Sequence, residues 1–372
     1  MISLTKRNRL INNIDDTDVS ILAHKKKNKT RINFIFLFGI FFVSLSASVS
    51  LGAVDISLES IFAIILERIG IESSLEYSKQ HEMVILGIRL PRTILGVLVG
   101  AALAASGAAL QGIFRNPLAD PALIGVSTGA ALAAVSVIVL GGNILLFNDA
   151  NWTPFIIPLA AFFGGIISTF IVYRISNRDG QTDISTMLLA GVALNAITSA
   201  GIGLLIFLSD DQQLRDLNFW LLGSLAGITW VKVMPLFFLI LAPLTLLIFL
   251  SRNLNALLLG EREAFHMGFS VESTKILIIL TVALLTGASV AITGIIGFIG
   301  LVTPHLIRIL MGSDNKIVLP GSIILGATLI VIADIVSRFV VLPAELPIGI
   351  VTSCVGGPFF LWLLIHNRSK VL

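Results

Sequence analysis

Five histidines, at positions 24, 81, 266, 305 and 366, and one cysteine, Cys354, are the obvious ligands or nucleophiles in this 372-residue chain, and neither set is arranged for chemistry. The histidines are scattered with no spacing that would converge on a metal. His305, in the string TPHLIR, is expected to make a structural hydrogen bond rather than to ligate a metal. A lone cysteine gives neither an intrachain disulfide nor a Cys-x-x-Cys site, and Cys354, lying in an apolar run, is expected to be a small buried hydrophobe. No Gly-x-x-x-x-Gly-Lys-Ser/Thr string occurs, so the chain cannot cradle nucleotide phosphates in a Walker loop. No polar dyad lies inside the apolar runs. No catalytic residue, metal or bound cofactor is therefore expected. What remains is charge at the ends of apolar runs. Arg89 and Arg92 bracket Pro91, and Asp334 and Arg338 stand four apart, where they can pair on one helix face. Glu345, in ELPIG, is expected either to partner those arginines or to cap a helix.

The elements that must position these residues are set by composition. Hydrophobic residues make up 56% of the chain and charged residues 13%, against about 25% charged in a soluble domain. So apolar a chain needs lipid as part of its solvent. The positive balance of +3 does not point to nucleic acid: eight Lys or Arg lie in the first 31 positions, with Lys25, Lys26, Lys27, Lys29 and Arg31 directly before an apolar run. That is the pattern of a membrane flank facing anionic lipid. Residues 1–31 read as a basic cytoplasmic tail and 32–367 as one membrane domain. The run 32–54 is longer than the apolar core of a signal peptide and reads as an uncleaved first span.

Uncharged runs recur at 93–114, 121–148, 150–173, 184–209, 233–251, 317–333 and 346–365. The run 217–231, with Trp220 and Trp230, reads as an outer interfacial segment. The run 276–307 is too long for one ordinary helix, and Gly287, Gly294, Gly297 and Gly300 divide it into two spans near 275–291 and 294–312. The expected fold is all-α integral membrane, with ten transmembrane helices and both termini inside. This topology puts 18 of the 25 Lys and Arg residues on the cytoplasmic side, as the positive-inside rule asks. An inverted repeat is expected from the echo of GAALAASG (100–107) in GASVAITG (287–294). Small residues four apart, Gly96–Gly100 with Ala104 and Ala108, and Gly125–Gly129, suit close helix crossings. In the outer loop 55–88, Leu58, Ile61, Phe62, Ile65 and Ile69 fall at helical spacing, as in an amphipathic helix lying on the outer membrane face.

Three blocks go beyond generic membrane sequence: RLPRTILGVLVGAALAASGAALQGIFRNPLADPALIGVSTGA (89–130), GIIGFIGLVTPHLIRILMGSDNKIVLPGSIILGA (294–327) and ADIVSRFVVLPAELPIGIVTSCVGGPFFLWLL (333–364). Together, and in this order, they resemble the permease family of ABC importers for iron siderophores, haem and cobalamin. The resemblance implies a permease subunit in the bacterial inner membrane, paired with a second copy as a homodimer around a translocation path and working by alternating access. It also implies separate ATPase subunits that hold ATP and Mg²⁺, and an extracytoplasmic substrate-binding protein. By the same resemblance Arg89, Arg92 and Arg338, with Glu345, would dock the binding protein, and Asn116, Pro117 and Leu118 would form part of the cytoplasmic gate. Asn195, Thr198 and Ser199, on an unusually polar span, would lie along the path. The inner loop 252–275 carries Leu257, Leu258, Ala264 and Phe265 near one face, between breaks at Gly260 and Gly268. With Glu261, these would form the coupling helices gripped by the ATPase.

The stretches QLRDLNFWLLGSLAGITW (213–230) and LNALLLGEREAFHMGF (254–269) most resemble the haem-importing branch. A ferric siderophore or cobalamin is the alternative ligand. A different class, the ion-coupled secondary transporter, is disfavoured because such proteins place carboxylates or histidines at mid-membrane, and these runs hold almost none.

Overall fold

The structure is a computed structural model that describes residues 16–52, 54–68, 70–71, 77–144, 153–341 and 343–367. Among these residues the regular structure is helical apart from one two-stranded hairpin. Seven helices are long and apolar enough to cross a membrane, and three shorter apolar helices, within 126–141, 299–311 and 348–362, stand where the other expected spans lie. The outer link between the runs 121–148 and 150–173 falls outside the described residues.

Helix α1 (Asp16–Ser50) takes up residues 16–31 of the expected tail as its first turns and continues into the first apolar run. Helix α2 (Leu58–Arg68) is the outer amphipathic helix, but its faces differ from expectation. Ile61 and Ile64 turn inward, against Ile56 and Ile85, whereas Leu58, Phe62 and Ile65 stay exposed. Ile69 lies outside the described residues.

The helix Lys79–Phe114 is the axle of the bundle, with 89% of its apolar stretch buried. It comprises α3 (Lys79–Val84), one wide π turn (Ile85–Arg89) and α4 (Leu90–Phe114). Pro91 has no N–H to give and crowds the preceding turn, and the wide turn absorbs this. Leu90 N–H reaches back to Ile85 O. The next donor in that pattern would be Pro91, so Leu86 O is left over, and it accepts from the Trp230 indole at 2.7 Å.

Helices α5 (Val126–Ile144), α6 (Thr153–Ser176) and α7 (Ile184–Leu208) form one flank. The hairpin β1 (Asn177–Arg178) and β2 (Gln181–Thr182) links α6 to α7. The segment expected at the outer interface is α8 (Asp211–Leu222), which starts in a reciprocal cap between Asp210 and Gln213. After it come α9 (Trp230–Phe249) and two short inner helices, α10 (Ser251–Leu259) and α11 (Glu261–His266). The run 276–307 is divided as expected, into α12 (Val271–Thr293) and α13 (Ile299–Met311), with the break at 294–298. Helices α14 (Asn315–Phe339) and α15 (Ile348–Asn367) complete the chain.

Helix α4 packs most extensively on α14, and also on α12 and α13. Small residues permit this. A Cβ on Gly100 would stand 2.3 Å from Gly326 O, and one on Gly107 1.8 Å from Gly300 O, so backbone meets backbone at both crossings. The echoing segments 100–107 and 287–294 lie on α4 and at the end of α12, the two most buried of the long helices, which pack together. Cys354 is exposed on α15, not buried. Its neighbours Val355, Leu361 and Trp362 are exposed too, because α15 leaves a whole face uncovered by its own chain.

Candidate functional site

Three groups of polar residues stand out, one at the end of the bundle where α1 finishes and two at the opposite end. The first surrounds the last turn of α1, whose carbonyls have no partners within the helix. Arg89, on the π turn, donates to Val49 O at 2.8 Å, to Ser50 O at 2.7 Å and to Val54 O. Arg338, on α14, donates to Ser48 O at 3.3 Å, Leu51 O at 3.1 Å and Ser48 Oγ at 3.0 Å. Two guanidinium groups thus cap the negative end of one helix dipole. Arg92 bridges Asp334 (Nε–Oδ1 2.9 Å) and Glu345 (Nη1–Oε1 2.9 Å), and Arg338 pairs with Asp334 at 3.1 Å.

The spacing of Asp334 and Arg338 had indicated their pairing, and of the two expectations for Glu345 the structure shows the arginine partner. All three arginines expected at the docking rim are turned inward. Arg89, Arg92 and Arg338 are 4%, 7% and 9% exposed, turned into the protein. In a low-dielectric surround a guanidinium must spend its donors on carboxylates and orphan carbonyls. Only Glu345 keeps a substantial open surface.

At the other end, α4 stops in a turn where Arg115 is left-handed (φ 47°). Asn116 Oδ1 accepts from Leu118 N at 2.9 Å, which turns the chain, and Pro117 and Leu118 are exposed. Asp120 then caps the short 3₁₀ turn Pro121–Ile124 by accepting from Ala122 N. Asn195 reaches this segment from α7: its Nδ2 donates to Ala122 O at 3.1 Å, and its Oδ1 accepts from Thr128 Oγ1 at 2.6 Å. The structure therefore ties Asn195 to 122–128, the segment that follows the turn 116–118 in the chain. It separates Thr198 from Ser199. Thr198 is buried and bonds the carbonyls of Leu194 and Asn195 on its own helix, whereas Ser199 is exposed on the other face.

The third group is the inner loop. Gly260 (φ 146°) breaks α10 from α11, and Gly268 (φ 87°) ends α11. The expected single apolar face is split in two. Leu257 and Ala264 pack inward with Ala256, Phe269 and Val271, and Leu258 is half-buried. Phe265, 70% exposed, points out with Leu259 and Met267. The two helices are thus anchored on one side and present bare apolar side chains on the other. Beside them a cleft of about 1040 Å³ is walled by the β1–β2 hairpin, α11 and the start of α12. Beneath the cleft lies Lys275, the last residue of the expected inner loop 252–275 and not among the residues singled out in it. A signal existed: a lysine already inside an apolar helix, three residues after Glu272.

Among the described residues no group of three His, Cys, Asp or Glu side chains is placed to hold a metal ion. His305 is half-buried, and among the described residues neither ring nitrogen finds a hydrogen-bond partner, so the hydrogen bond expected of it is not made there.

Comparison with known proteins agrees with this architecture. The family model described as the FecCD transport family matches residues 39–366. The hemin transport system permease protein HmuU of Yersinia pestis is 44% identical over 294 residues, covering 77% of this chain and 84% of its own. The cobalamin import system permease protein BtuC of Halobacterium salinarum is 40% identical over 290 residues, covering 78% and 75% respectively. Among solved structures, a metal-chelate-type ABC transporter in an inward-facing conformation superposes with a TM-score of 0.77. It is 31% identical, and the match covers 89% of this chain and 98% of that one.

Proposed function

We propose a function from one premise, that this chain belongs to the FecCD transport family. It is a multi-pass permease subunit of an ABC importer in the bacterial inner membrane, and so a transport component rather than an enzyme. The ligand we assign is haem, with a ferric siderophore or cobalamin as the alternative. The relative that transports hemin supports this choice, at 44% identity against 40% for the cobalamin permease.

The observation that carries the mechanism is the pair α10–α11. Two short helices sit on the inner end of the bundle, hinged at Gly260 and held by Leu257 and Ala264, with Phe265, Leu259 and Met267 bare. An exposed apolar knob on an anchored base is what a groove in a partner can grip. The partner is a separate ATPase subunit that binds ATP and Mg²⁺, since this chain has no Walker loop. Closure of two such subunits would push on α11. The turn 116–118 and the Asn195 contact would then open or close the inner end of a path between two copies of this chain. Ser199, exposed on α7, faces that path; Asn195 and Thr198 hold its wall. Ten crossings with both termini inside fit this arrangement.

At the outer end, the buried arginines would shape the rim and not touch the binding protein directly. Glu345, the open member of the cluster, would meet a cation on that protein, which would speed docking and fix its orientation.

The ligand is tested in cells lacking their own haem importer. Expression of this chain with its ATPase and binding protein is expected to restore growth on haem as sole iron source. Restoration by a ferric siderophore or of cobalamin uptake, with none by haem, would replace haem by that ligand.

A further inference from the structure

Lys275 is the bulkiest of the fully buried side chains, with 2% of its surface exposed. Its ammonium group has three protons, and three acceptors surround it: Thr182 O at 3.1 Å, Glu261 Oε2 at 2.7 Å and Glu272 Oε1 at 3.0 Å. The other oxygen of Glu272 accepts from Thr182 N at 2.9 Å. Thr182 is therefore held at both its N–H and its C=O. Each arm ends on a different piece of the molecule. Glu261 is the first residue of α11, Glu272 and Lys275 are on the opening turns of α12, and Thr182 is the last residue of β2. The next residue, Asp183, is the N-cap of α7.

We infer that Lys275 is a positioning residue for transport: it straps α11 to the hairpin and to the first turn of α7, so that a push on α11 moves the start of α7. The inference rests on the reading of α10–α11 as the ATPase contact. Both carboxylate partners keep open surface, but the Lys275 ammonium is buried, so pulling it away from its acceptors would strand a charge, which is far costlier than moving the three pieces together. The hinge at Gly260 gives the motion its direction. Ahead of the strap, α10 meets α11 only through the Gly260 break and the small cluster of Leu257 and Ala264; behind it, the pieces are tied by the charged arms.

The test uses the full chain with its ATPase and binding protein in proteoliposomes, with haemin as the probe. Lys275→Met keeps an unbranched apolar stem, one atom shorter, and removes the donors. The variant is expected to assemble with the ATPase and to hydrolyse ATP near the wild-type rate, while haemin imported per ATP falls about ten-fold. Glu272→Gln keeps an acceptor for Thr182 and weakens the ammonium contact, so it is expected to show a smaller loss. It carries the test if Lys275→Met fails to reach the membrane. Spin labels at Asp179 and Arg262, both exposed beside the cleft, read the strap directly. Their separation is expected to stay constant between nucleotide states in the wild type and to spread in the variants. Wild-type import per ATP and an unchanged label distance in the variants would overturn the inference alone. Import of haemin by the wild-type chain with no ATPase present would overturn the proposed function, and the inference with it.

Discussion

Arg92 holds two carboxylates at once, Asp334 from a helix 242 positions away and Glu345 from the loop beyond it. Removing one partner of such a buried network costs about 3–5 kcal/mol. Arg92→Ala is therefore expected to lower thermal stability in detergent sharply, and docking would fail only as a consequence. A variant with wild-type melting and lost docking would restore the direct-contact role. The sequence showed that these arginines were unusual at an outer membrane edge, but not what they touch. The orphan carbonyls at the end of α1 have no signature in side-chain types.

Asp183 gives a pH-dependent case outside the membrane. Its exposed carboxylate is held below the usual range, first by the Thr186 hydroxyl and then by the Thr186 N–H. A depressed carboxylate stabilises the fold above its ordinary value, and that stabilisation disappears as pH falls through the folded one. Amide exchange at Ser185 and Thr186, corrected for intrinsic rate, is expected to lose protection as pH drops into the carboxylate range. Asp183→Ala should abolish that dependence.

At the scale of elements, the crossings of α4 make the sharpest distinction. Gly107 faces the backbone of Gly300, which cannot give way, whereas a Cβ on Gly96 would find ordinary contacts at 3.5 Å and beyond. Gly107→Ala is expected to cost about 3 kcal/mol and to reduce the folded yield, with Gly96→Ala near wild type, as read by size-exclusion profiles and melting. The division of 276–307 was legible because its glycines interrupt an apolar run too long for one helix. The inward faces of α2 and α11 were not. Apolar residues occur all round α2, and the two of α11, Ala264 and Phe265, are adjacent and point to different sides, so only the neighbouring chain decides which side is covered. The exposed side of α11 yields a further expectation: Phe265→Asp should leave folding intact and abolish co-purification with the ATPase. Retained co-purification would move the contact elsewhere.

For the molecule as a whole, charge punctuation and length were sufficient to anticipate a bundle of apolar helices, and ordered sequence blocks to anticipate its family. The long-range ties at its two ends were beyond sequence reading. The arginine cluster and the Lys275 strap each join segments dozens to hundreds of positions apart; helical spacing marks only the local pairs, Asp334–Arg338 and Glu272–Lys275, and nothing marks the distant partners. Those ties also give the molecule two differently built ends, one stapled around the last turn of α1 and one hinged at Gly260. A body of this kind, with no Walker string in its sequence, is expected to move when another subunit drives it.

The most direct test is import into proteoliposomes containing this chain, its ATPase and its binding protein, with haemin outside and nucleotide supplied to the ATPase. Haemin should accumulate only with hydrolysable ATP, stop with vanadate and be indifferent to an uncoupler. Accumulation driven by an imposed proton gradient without ATP would contradict the account.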